Sequence, residues 1–179
     1  MIYVDGCSFT YGLGVDRKYA IGNQLNADLD LSRAGKSNIA MVTDLYENIN
    51  RFDTFVIGFT FPNRYTFYNN SDPVDINPSK KFLDNLVDNP YGAELETNWD
   101  IISKFLFSLT NEEKMNSLSD FCLAATLELL KDKKHVVYSI QRRNVVGDYF
   151  VIPNLPKLTD GHFTEDGMLQ LGKLIKEKL

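Results

Sequence analysis

A chain of 179 residues, 44% hydrophobic and 24% charged, has the make-up of one globular domain, which excludes wholesale disorder and fibrous assembly. Its net charge of -5 excludes a nucleic-acid binder that tracks phosphates, since such a protein needs a basic face. No apolar run reaches the ~20 residues that cross a bilayer, and the start MIYVDGCSFTYG lacks the basic and apolar regions of a signal peptide. A cytoplasmic protein with no membrane partner is expected.

Ile2–Asp5 is a short β-prone run, and Gly6, Gly12 and Gly14 then mark a strand-to-loop-to-helix passage. Asp28–Ala34 reads as a strand or turn that runs into Gly35-Lys36-Ser37-Asn38, after which Ile39, Met41, Val42, Leu45 and Ile49 recur at helical spacing. Phe52–Phe61 is rich in Val, Ile, Phe and Thr and suits a strand buried on both faces, ended by Pro62. The stretch from Asn69 to Pro90 is dense in Pro, Asn and Asp, so it reads as a long irregular excursion, with its surroundings spanning about 64–100. A lid or a contact between copies in a homo-oligomer is the expected use.

Asp100–Leu109 and Asn111–Lys131 carry helical periodicity, the second with Leu118, Phe121, Cys122, Ala125 and Leu129 as its expected apolar face. His135–Gln141 reads as another buried strand, and Thr164–Leu179, with Met168, Leu171, Leu174, Ile175 and Leu179 on one face, as the closing helix. Strands alternating with helices predict a three-layer αβα sandwich, one domain over 1–179, around a mostly parallel sheet of about five strands. Cys7 and Cys122 stand far apart with no metal-ligand spacing, so reduced thiols, no metal and no cofactor are expected.

Sites in such sheets lie at the carboxyl ends of strands, which directs attention to the loops holding Ser8, Gly35 to Asn38, Thr60 to Arg64, and Asp160 to His162. A serine nucleophile needs a base, and histidine is the side chain whose ordinary pKa suits that work. Of the two histidines, His135 sits at the mouth of a strand, where a capping or surface role is expected. His162 sits in a polar loop with Asp160 two residues away to orient its ring. The plainer readings are a helix-capping Ser8 and a turn made by Asp160 and His162.

The block Asp5-Gly6-Cys7-Ser8-Phe9-Thr10-Tyr11-Gly12 resembles the first block of the SGNH, or GDSL-type, hydrolases. Asp160-Gly161-His162-Phe163-Thr164-Glu165-Asp166-Gly167 resembles their last block, Ala34-Gly35-Lys36-Ser37-Asn38 their second, and Ile57-Gly58-Phe59-Thr60 stands where the third belongs. The four appear in family order across nearly the whole chain. The resemblance implies a flavodoxin-like sandwich and metal-free hydrolysis of a small ester, with an acetyl group on a carbohydrate as one form of substrate. Ser8 would be the nucleophile, His162 the base and Asp160 the acid that orients it. The backbone N–H groups of Ser8 and Gly35 would form the oxyanion hole.

Two departures bear on the roles. The third block has Thr60 where the family has an oxyanion-binding asparagine, leaving Thr60 or Asn38 to supply that donor. Asn63 and Arg64, a turn later, are expected at the substrate, Arg64 on an acidic group. The acid and base stand two apart rather than three, which keeps Asp166 as a second candidate for the acid. The aromatics Phe61, Tyr65, Phe67, Tyr68, Tyr91 and Trp99 are either core or a surface that stacks on substrate.

Two other classes fit parts of the pattern. Gly35-Lys36-Ser37 resembles the end of a phosphate-binding loop, although Asp30 stands where that motif needs its first glycine. A sandwich that lost turnover and binds carbohydrate or protein would also account for the missing third-block asparagine.

Overall fold

The computed structural model describes residues 1–62, 64–69, 72–76 and 112–179. The chain opens with β1 (Ile2–Gly6), the short helix α1 (Ser8–Tyr11), a 3-10 turn over Arg17–Tyr19, α2 (Ile21–Leu25) and β2 (Leu29–Asp30). It continues through α3 (Asn38–Asn48), β3 (Thr54–Phe59) and the strands β4 (Tyr65–Asn69) and β5 (Asp72–Ile76). The described remainder holds α4 (Glu112–Leu130), β6 (Lys134–Ser139), β7 (Phe150–Val151) and α5 (Glu165–Lys178).

Five strands form one parallel sheet in the order β2-β1-β3-β6-β7, and helices cover both of its faces in a three-layer αβα sandwich. Parallel strands buried on both sides read as continuous apolar runs, and here successive residues feed opposite cores. Val4, Val56, Val136 and Tyr138 pack with α1, α2 and α5 through Phe9, Ile21, Met168, Leu171 and Ile175. Tyr3, Phe55, Ile57, Phe59 and Val137 pack on the other face with α3 and α4 through Leu45, Cys122, Leu123 and Leu130.

Three elements differ from the sequence reading. Residues 65–76 were expected to begin an irregular excursion, yet β4 and β5 pair antiparallel there, with Asn69 opposite Asp72. Pro73 and the neighbouring Asn and Asp residues hide the strands, because proline in a strand is confined to edges and bulges. The expected helix Asp100–Leu109, and Tyr91 and Trp99, lie outside the described residues.

The inward face of α4 is also rotated from the expected one: Leu118 and Phe121 are 41% and 69% exposed, whereas Met115, Ser119, Cys122, Leu123, Thr126 and Leu130 face inward. That stripe contains a serine and a threonine, so apolar periodicity alone selects the wrong phase. The two-residue strand β7 gave no sequence signal at all. It is placed by Ile152 N–H donating to the Ser139 carbonyl, which extends the pairing with β6.

Candidate active site

The parallel sheet brings the carboxyl ends of β2, β1 and β3 side by side. Gly6 pairs with Gly58, so Ser8 and Thr60 each follow a paired glycine by two residues on neighbouring strands. Any Cβ on Gly58 would run into Thr10 and the Tyr138 ring, whose hydroxyls bond at 2.8 Å across the strand ends. These two glycines let the turn that bears Ser8 sit directly on the sheet.

Ser8 is the first residue of α1, behind an extended Cys7, and Gly12 closes the turn in the left-handed region at φ 75°. Its backbone N–H belongs to the first helical turn and has no acceptor within the helix. The residue is 2% exposed, and among the described residues its Oγ meets no hydrogen-bond partner. A buried hydroxyl without a protein partner is uncommon, and its bonding is open to a water, a ligand or a reacting group.

At the other end of the chain, the loop before α5 folds on itself: Leu158 N–H donates to the His162 carbonyl at 2.7 Å and Gly161 N–H to the Leu158 carbonyl at 3.0 Å. Asp160 receives the His162 backbone N–H at 3.0 Å and its Nδ1 at 3.1 Å. A carboxylate only accepts, so Nδ1 carries a proton, and in the neutral ring Nε2 keeps its lone pair. The His162 ring lies 5.2 Å, centroid to centroid, from Phe9, the residue after Ser8. Ser8 Oγ and His162 do not hydrogen-bond in this arrangement.

The alternative partners fall elsewhere. Asp166 sits in the first turn of α5 and accepts from Gln170 at 2.8 Å. His135 lies at the opposite, amino-terminal end of β6, where Nδ1 meets the Lys133 carbonyl at 2.9 Å.

The second-block loop is anchored from below. Lys36 and Asp5 are fully buried, and the ammonium reaches both Asp5 oxygens at 2.5 and 2.6 Å, Asp44 at 2.5 Å and the Leu31 carbonyl at 3.2 Å. Tyr3 donates its hydroxyl to Asp5 at 3.0 Å. Burial raises the Asp5 carboxyl to about 7, with Lys36 pulling against that rise. An ammonium enclosed in this way has nothing left for a phosphate, which removes the support for a phosphate-binding loop.

Above this anchor, Gly35 turns at φ 85°, and a Cβ there would press on Asp75 of β5 at 3.2 Å. Arg33 Nε pairs with Asp75 at 2.5 Å, and Thr66 links Asp75 at 2.5 Å to Ser37 at 2.8 Å. The β4–β5 hairpin is thereby fastened to the Gly35 loop. Among the described residues the Gly35 N–H has no acceptor.

Asn38 does not offer its amide to a ligand. Its Oδ1 accepts the Thr60 N–H at 2.9 Å, and its Nδ2 donates to the Thr60 carbonyl at 3.1 Å and to Ser119 at 2.6 Å. Arg143, which sequence reasoning missed, adds a second bond to the Thr60 carbonyl at 2.6 Å. Burial draws the Arg143 pKa below its ordinary value, and a guanidinium stays charged regardless. The only signal for it was a strand-end loop carrying Arg142-Arg143. Thr60, fully buried and fixed through its peptide groups, keeps one free polar atom, its Oγ1. Arg64 lies beyond, beside a cavity against α3 and α4, and Asn63 lies outside the described residues.

Removing the buried cation should leave Asp5 and Asp44 facing one another. Lys36→Met is expected to lower unfolding stability by about 3–5 kcal/mol. Without Lys36 the folded pKa of Asp5 rises further above its unfolded value, so the protonated form favours the fold. Both proteins lose stability alike up to about pH 7, where Asp5 of the wild type ionises, so the loss should grow as the pH of urea titrations is raised above about 7. A loss that shrinks with rising pH would contradict the ion-pair assignment. No family model matches this chain, and no curated protein matches it.

Proposed function

We propose that the chain is a serine hydrolase of the SGNH type that cleaves a small ester, with a carbohydrate acetyl group as the favoured form. The observation that carries this reading is the meeting of the chain's two ends: an imidazole held by Asp160 rests on Phe9, next to a serine whose hydroxyl has no partner. In the reaction Ser8 Oγ attacks the acyl carbon while His162 Nε2 takes its proton, and Asp160 holds the tautomer that makes Nε2 the base. The alkoxide formed from the carbonyl is met by the N–H groups of Ser8 and Gly35 and by the Thr60 hydroxyl. His162 then returns the proton to the leaving alcohol, and water, activated the same way, frees Ser8.

The near-complete burial of Ser8 favours a second reading, a non-catalytic module that binds carbohydrate or protein, and turnover separates the two. Ser8→Ala and His162→Ala should each lower hydrolysis of a short-chain aryl ester by roughly 10³-fold or more. His135→Ala should stay near the starting rate, and equal losses at both histidines would overturn the choice of base.

Thr60→Val keeps the shape and deletes the hydroxyl. It should cut kcat by about 10²-fold with KM little changed, the behaviour of a donor used in the transition state. An unchanged kcat would remove Thr60 from the oxyanion hole.

A further inference from the structure

We propose that the cavity between α3, β4 and α4 binds a compact apolar acid, with Arg64 as the anchor for its carboxylate. The cavity measures about 140 Å³ and is walled by Ile39, Pro62, Met115, Leu118 and Cys122. A space of roughly this size lined by apolar side chains accommodates a benzene-sized body. Burial pushes the Cys122 thiol up to about 11, so that wall is neutral near pH 7.

Asn38, Thr66 and Ser119 add polar groups to the lining, and Arg64 is its charged residue. The Arg64 Nε is buried, and among the described residues it meets no acceptor and no carboxylate pairs with the guanidinium. The group lies 5.8 Å from the centre of the Phe61 ring, a stacking contact that supplies no hydrogen bond. In a chain of net charge -5, a cation with an unmet donor at the edge of an apolar space calls for an anion from outside. A carboxylate fits a guanidinium in a two-pronged contact, and the apolar body of the same molecule would fill the space behind it.

Asn38 lines the cavity, and both ends of its amide grip Thr60. The acid is therefore either the acidic arm of the ester substrate or a separate small acid, and only the first source rests on the hydrolase reading.

Benzoate is the probe, titrated into the 179-residue chain and followed by calorimetry and by backbone amide shifts. Saturable binding is expected, weakened at least tenfold by Arg64→Gln and abolished by filling the space with Leu118→Trp. Benzyl alcohol, the same size without the charge, should bind at least tenfold more weakly. Competitive inhibition of aryl-ester hydrolysis by benzoate would assign the cavity to the substrate's acidic arm, and inhibition of any other pattern to a separate acid. Both patterns support the site, and the binding measurement stands even if Ser8 proves inert. No binding at about 10 mM benzoate, or equal affinity in Arg64→Gln, would overturn the proposal.

Discussion

Lys36 and Asp5 meet inside the protein, both closed off from bulk solvent, and the loops of the candidate site hang from that contact. Asp5 belongs to β1, one residue before the glycine that leads to Ser8, and Lys36 follows Gly35. One ion pair thus fixes the spacing between the turn that bears Ser8 and the Gly35 loop. Such pairs add little net stability, because removing two charges from water offsets their attraction. Their use is register: a Lys36 carrying Asp5 and Asp44 together has one place to sit.

The same division of labour recurs around Thr60. Asn38 and Arg143 saturate its peptide N–H and carbonyl from opposite sides, leaving only the side-chain hydroxyl free. A hydroxyl held on a fixed backbone is preorganised in the way a developing oxyanion requires. Asn38 is thereby a brace for Thr60. Ser119, on the buried face of α4, exists in that position to receive the remaining amide proton of Asn38.

The layered fold was legible because Ile2–Asp5, Phe52–Phe61 and His135–Gln141 are apolar runs too short for helices, and helical stripes separate them. The pairing of Asp160 with His162 was legible because two residues in one tight loop are neighbours by necessity. Arg143 and the Asn38 clamp were not, since both depend on bonds spanning 83 and 22 residues, which no local pattern encodes. The hairpin β4–β5 escaped for a different reason. Its strands are recognised by their pairing and by the Asp75–Arg33 and Thr66–Ser37 contacts, while its composition is that of a turn.

The central claim is that Ser8 is a nucleophile activated by His162. A fluorophosphonate reacts with an activated serine and leaves ordinary ones alone, so peptide mass analysis after labelling addresses the claim most directly. The account predicts a single adduct on the peptide containing Ser8, lost when His162 is replaced by alanine. An unlabelled protein, or an adduct on another serine, would contradict it.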